Sequence, residues 1–180
     1  MDNEKGVTQE VEYLKHTGHR RVAYLTGFKN YDGVTRCRAF RQAMEKFGLP
    51  IDESLVMEGD FSAGMAYNCV RALFSRPGEA PDAILCANDD MAIGCIRALN
   101  DMDLKVPENV SVLGFDDVGP AAVCTPPLTT VQYSMPAYAN MAIDEMLRLM
   151  GDDEPEGQIL TLDTRLVVRD SVAIRYSGKL

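Results

Sequence analysis

The side chains able to do chemistry fall into four short stretches: residues 27–36, Gly59-Asp60-Phe61, Asn88-Asp89-Asp90 and Asp116-Asp117. They bring together the amides of Asn30 and Asn88, the carboxylates of Asp32 and Asp116, the guanidinium of Arg36 and the ring of Phe61. Planar carboxylate, amide and guanidinium groups make paired hydrogen bonds, and an aromatic face covers apolar C–H surface, so this mixture suits a hydroxyl-rich small molecule. Each residue also has a purely structural reading. Asp89 is a natural helix N-cap, Asp116 can cap the turn after its strand, and Phe61 can be core. Arg36 can be a solvated charge paired with Asp32 at i,i+4, and His19 reads as a loop residue.

Catalytic patterns are missing. The chain has no Gly-x-Ser-x-Gly, no Gly-x-x-x-x-Gly-Lys-[Ser/Thr] and no Gly-x-Gly-x-x-Gly. The acid pairs Asp89-Asp90 and Asp116-Asp117 would suit metal or phosphoryl chemistry, but no aspartate ends the first apolar run to act as nucleophile. With two histidines and five irregularly spaced cysteines (Cys37, Cys69, Cys86, Cys95, Cys124), neither a metal site nor disulfides are expected. The cysteines read as buried reduced thiols. The expectation is a binding protein, not an enzyme, with no metal and no cofactor.

The elements that must position these groups repeat. Apolar or β-branched runs at Val22 to Thr26, Leu55 to Glu58, Ala83 to Ala87 and Val110 to Phe115 are spaced as βα units. Helical spacing links Cys37, Phe40, Met44 and Phe47, then Ala66, Cys69 and Leu73, then Ala92, Cys95, Ile96 and Leu99. A further helix precedes the first run, from about Glu4 to Thr17, with Gly18 as its stop. Near-continuous apolar strands suit a buried parallel sheet, so the fold class is α/β, a parallel-sheet three-layer (αβα) sandwich. In such a sheet ligands bind beyond the carboxyl ends of the strands, where the four stretches lie.

After Phe115 the rhythm changes. A loop or short helix from Asp116 to Pro127 leads to the strand-like Leu128 to Val131, then to a helix from about Pro136 to Met150. That helix has little room for a polar face, with Tyr138, Met141, Ile143, Met146, Leu147, Leu149 and Met150. An acidic loop, Asp152 to Gly157, then precedes a β-rich stretch from Ile159 to Ile174.

The net charge of −9 is uneven: residues 1–50 carry nine Lys/Arg against six Asp/Glu, leaving nine against twenty-one for the remainder. Such a surface repels phosphate backbones, so this chain alone is not expected to bind DNA. No apolar run is long enough to span a bilayer, and the charged opening MDNEKGVTQEVEYL is unlike a secretory leader. A cytoplasmic protein without membrane association is the expectation.

Together the motifs resemble the effector-binding core of the LacI/GalR family of bacterial transcription regulators, which is similar in fold to periplasmic sugar-binding proteins. Gly18-His19-Arg20-Arg21-Val22-Ala23-Tyr24-Leu25-Thr26-Gly27 resembles the family's G-H-R-x-I-A-x-L-x-G, and Arg36 to Ala43 its R-x-x-G-[FWY]-x-x-A. Gly59 to Gly64 resembles G-D-[FW]-x-x-x-x-G, and Ala87 to Gly94 the A-x-N-D-x-M-A-x-G pattern. Val112 to Asp117, Pro127 to Val131 and Leu166 to Ser171 complete the series. Ala39 departs from the usual glycine.

The resemblance implies ligand contacts at Arg36, Asn88 and Asp116, stacking by Phe61, weaker roles for Asn30 and Asp32, and Tyr133 facing the cleft at a crossover. Asp89 would then be the helix cap that holds Asn88, with Asp90 solvated. It also implies that residues 1–133 form a C-terminal effector-binding subdomain, 134–162 an excursion belonging to the N-terminal subdomain, and 163–180 the returning strand. The helix 136–150 would lack its usual sheet. A small sugar-like effector and a homodimer are the implied partners, the latter through Met91, Ile93 and Ile96. The alternative is a solute-binding protein of a transporter, which shares the fold.

Overall fold

A computed structural model of the chain describes residues 1–78, 80–151 and 158–175. Helix α1 (Asn3–His16) precedes strand β1 (Val22–Thr26), and α2 (Tyr31–Lys46) leads through a 3-10 turn (Glu53–Leu55) to β2 (Val56–Glu58). Then follow α3 (Ala63–Phe74), β3 (Ala83–Cys86), α4 (Asp89–Asn100) and β4 (Ser111–Asp116). A 3-10 turn (Gly119–Ala122), β5 (Thr129–Gln132), α5 (Met135–Gly151) and β6 (Arg165–Val167) complete the order. The acidic loop 152–157 lies outside the described residues.

The strands form one sheet in the order β2-β1-β3-β4-β5-β6. The first five run parallel, so their carboxyl ends share one edge, while β6 returns antiparallel beside β5. β1 and β3 are buried along nearly their whole length, which is why their sequences are apolar at successive positions. Neighbouring residues of a strand face opposite sides, and β4 displays both faces. Phe115 lies under the Arg36 guanidinium of α2, whereas Gly114 lies against Asp89 and Ala92 of α4. Helices α1 and α2 thus pack together on one face and α3 and α4 on the other, giving the expected three layers.

Local signals mostly behave as read. Ser62 caps α3 through the Met65 amide, and Gly48, at φ 63°, follows the end of α2. All five cysteines are free; Cys86 and Cys95 are buried, whereas Cys37, Cys69 and Cys124 are only half-buried. Among the described residues no helix is long and apolar enough to cross a membrane.

Several expectations are corrected. Of the β-rich stretch 159–174 only Arg165–Val167 pairs as strand. The remainder makes irregular contacts: Ser171 Oγ donates to the Val112 carbonyl at 2.6 Å and accepts from the Thr129 amide at 2.9 Å. His19 is buried rather than a loop surface residue, with its ring nitrogens 3.0 Å from Thr17 Oγ1 and 2.8 Å from Ser111 Oγ. Met91 and Ile96 lie in the core and are unavailable to a partner, leaving Ile93 half-exposed.

Helix α5 has no buried residue, and Tyr138, Ile143, Met146, Leu147 and Met150 are exposed along it. An apolar groove of about 450 Å³ runs between α5 and Leu160 and Leu162.

Candidate functional site

Arg36 is the centre of the carboxyl edge. It sits in the second turn of α2, whose start is fixed by Asn30, the N-cap that accepts from the Gly33 amide at 2.8 Å. Arg36 is almost fully buried, and its guanidinium lies 3.7 Å above the Phe115 ring. Its Nε donates to Asn3 Oδ1 at 2.8 Å, and one terminal nitrogen donates to the Ala87 carbonyl. The other reaches Asp116 Oδ1 at 3.2 Å and Met1 Sδ at 3.0 Å. The proposed i,i+4 pair of Arg36 with Asp32 is therefore replaced. Asp32 accepts from Asn3 Nδ2 at 2.8 Å, so an asparagine side chain lies between the two charges.

Asp116 ends β4 with φ 112°, and Asp117 follows at φ 52°, both in the region that favours glycine. Asp60 and Phe61, after β2, adopt φ 51° and 52°. Backbone of this kind gathers at binding and catalytic sites because the surroundings must hold it in place. Burial pushes the Asp116 carboxyl up to about 6, and the adjacent Arg36 charge opposes that rise.

The cap expected of Asp89 is made by Asn88. Asn88 is the N-cap of α4: its backbone is extended at φ −155° and its Oδ1 accepts from the Met91 amide at 3.0 Å. Asp89 is fully buried beneath the helix and faces the sheet. It accepts from the Val118 amide at 2.9 Å and from Thr130 Oγ1 at 2.5 Å, tying α4 to the loop after β4 and to β5. Gly114 makes this possible, since a Cβ there would stand 2.2 Å from Asp89 Oδ1. Burial raises the Asp89 carboxyl to about 7 against the pull of those two hydrogen bonds. Asp90 is exposed, as expected.

Phe61 is half-buried and lies across Gly27, where a Cβ would come within 2.4 Å of three ring atoms; Phe28 meets it edge-on at 5.7 Å. Tyr133 lines a cleft of about 600 Å³ with Asp116, Asp117 and Gln132. Burial raises its phenol pKa, and the nearby Asp116 charge adds to the rise. The structure thus joins Arg36, Asp32, Asp116 and Tyr133 around one ion pair, buried at the guanidinium and half-buried at the carboxylate, with Asn88 one residue beyond the Ala87 carbonyl that Arg36 holds. Asn30 is placed as a cap, and Phe61 stands beyond β2 at the same edge.

Two groups were missed by sequence reasoning. One is Asn3. The other is a network in which Asp117 accepts from Gln132 Nε2 and from Arg169, each at 2.6 Å, while Arg165 donates twice to Gln132 Oε1. The only available signal was that Asp117 and Arg169 both lie in the matched motifs. Among the described residues no cluster of His, Cys, Asp and Glu could hold a metal ion.

An ion pair with a buried guanidinium, positive-φ loops and a cleft gather at the carboxyl edge of this α/β chain. The chain belongs to the family described as periplasmic binding protein-like domain, whose model matches residues 11–172. Within that family its relatives are LacI-type regulators. It is 33% identical over 162 residues to an HTH-type transcriptional repressor PurR of Histophilus somni, covering 89% of this chain and 48% of that protein. A transcriptional regulator CelR–cellobiose complex superposes with TM-score 0.89 at 32% identity, over 95% of this chain and 52% of that one. A dimeric Lac repressor with a C-terminal deletion superposes with TM-score 0.89 at 28% identity, over 97% and 64%. The chain spans about half the length of the curated relatives it matches.

Proposed function

We propose that this chain is the ligand-sensing part of a LacI-type transcriptional regulator, which binds a small sugar-like effector at the carboxyl edge of its sheet. The observation that carries this reading is the Arg36–Asp116 ion pair, held beside Tyr133 and one residue from Asn88 at a cleft mouth. Paired donors and acceptors on rigid elements suit hydroxyl groups, and the relatives are repressors, one solved with cellobiose. Those relatives favour a cytoplasmic regulator over a transporter's solute-binding protein and a binding role over a catalytic one.

Residues 134–162 belong, in this reading, to an excursion into a second subdomain, which would cover α5 and close the other side of the cleft. A whole regulator would couple effector binding to DNA binding by shifting the population of dimer geometries. Half a cleft leaves much of the ligand in water, so the isolated chain should bind weakly, with a Kd on the order of millimolar. Titration with cellobiose, other free sugars and nucleobases, followed by NMR, tests this. Shifts at Asn88, Asp116 and Tyr133 with one sugar support it. Tight micromolar binding, or shifts only at a remote surface, would reject it.

A further inference from the structure

Asn3 lies at the start of α1, buried, with both ends of its side chain occupied by residues of α2. Its Oδ1 accepts from Arg36 Nε and its Nδ2 donates to Asp32 Oδ1, each at 2.8 Å. A guanidinium only donates and a carboxylate only accepts, so the group between them must accept from one and donate to the other, as a carboxamide does. The same turn of chain is fastened on its other side to the segment entering β6. The Asp2 amide donates to the Leu162 carbonyl at 2.8 Å, Thr164 Oγ1 donates to the Asp2 carbonyl at 3.1 Å, and Lys5 pairs with Asp163.

We propose that Asn3 is a positioning residue for the ligand site. It holds the Nε edge of Arg36, so that the terminal nitrogens point at Ala87 and Asp116, and it links that orientation to the return segment 162–164 through Asp2. This rests on the reading of the carboxyl edge as an effector site. Ligand contact at Arg36 or Asp116 would then be felt at the return segment through two residues, Asn3 and Asp2. Rigid support of this kind is what keeps a binding group within the narrow geometry that recognition needs.

The Arg36 Nε–H proton gives a readout that needs no ligand. In the unaltered chain its NMR exchange should be slow. Asn3→Ala should accelerate it at least about tenfold, while amides of β3 and β4 keep their protection. Asn3→Asp combined with Asp32→Asn keeps an acceptor for Arg36 Nε and a donor–acceptor contact between positions 3 and 32, so Nε–H should stay slow, which serves equally if Asn3→Ala fails to fold. Unchanged exchange in Asn3→Ala, or lost protection in the Asn3→Asp, Asp32→Asn pair, overturns the proposal. Cellobiose titration gives the functional arm: Asn3→Ala should weaken binding about tenfold, the loss of one hydrogen bond to a charged group. Unchanged affinity with accelerated exchange would also overturn it, leaving Asn3 a structural contact. If cellobiose does not bind the unaltered chain, the sugar reading fails while Nε–H exchange still decides the role of Asn3.

Discussion

Arg36 and Asp116 meet at 3.2 Å across eighty residues of sequence, with the guanidinium nearly sealed from water and the carboxyl pushed up to about 6. Burial outweighs the attraction of the arginine, so the folded state holds this proton more tightly than the unfolded chain. The carboxyl's contribution to stability is therefore full near pH 4 and is lost as pH rises through about 6. A hydroxyl ligand that donates to Asp116 needs the anion. Its affinity should fall roughly tenfold between the high-pH plateau and pH 5. Calorimetric titration across pH 5 to 8 checks this, and a flat profile would sink the direct contact.

The approach of Gly114 to Asp89 makes a second prediction. Gly114→Ala would set a methyl 2.2 Å from Asp89 Oδ1 and 2.9 Å from Leu128, displacing the carboxylate from Val118 and Thr130. The loss should be about 2–4 kcal/mol by urea denaturation. Adding Asp89→Ala to that variant should cost little more, because the contacts are already gone. Full additivity of the two changes would contradict the mechanism.

Glu10 supplies a third. It is fully buried on α1 and neither carboxylate oxygen has a hydrogen-bond partner among the described residues. Burial holds its carboxyl well above the usual range, so here too stability is greatest at low pH and declines as pH rises toward the folded value. Glu10→Gln should raise stability at pH 8 by about 1–3 kcal/mol and change little at pH 4. Thermal melts at both pH values decide it; equal effects at the two would remove the titration from the account.

Ile93 supplies the fourth. With Met91 and Ile96 buried in the core, it alone of those three apolar residues on α4 reaches solvent. If the chain pairs through this face, Ile93→Glu should shift sedimentation from dimer to monomer, whereas Cys95→Ala, changed inside the core, should not. A dimer untouched by Ile93→Glu would place the interface elsewhere.

The sheet was legible because βα units advertise themselves through apolar runs followed by helical spacing, and the apolar excess of α5 was visible without knowing what it faces. The Arg36–Asp116 pair was not legible because the partner is eighty residues away, while Asp32 is one turn away and of the right charge. The cap of α4 was assigned to Asp89 in place of Asn88 because either side chain can cap a helix. The choice falls to backbone geometry and to the room left by Gly114, a residue in plain view whose use depends on what stacks above it. Strand β6 was overestimated since β-forming residues from 159 to 174 outnumber the places available beside a four-residue β5. Asn3 gave no signal, since a polar residue at a helix start is ordinary and only the third dimension shows it gripping two charges.

Because β6 pairs directly with β5, α5 and its flanking chain form an insertion between two adjacent antiparallel strands. The sheet's register does not pass through it. Such a segment is modular in the manner of a loop: joining Gln132 to Arg165 by a short hairpin turn would lower the closure entropy. It would also remove eight of the sixteen large apolar side chains exposed among the described residues, together with the Leu162 and Thr164 contacts to Asp2, so the deletion trades solubility against the anchoring of α1.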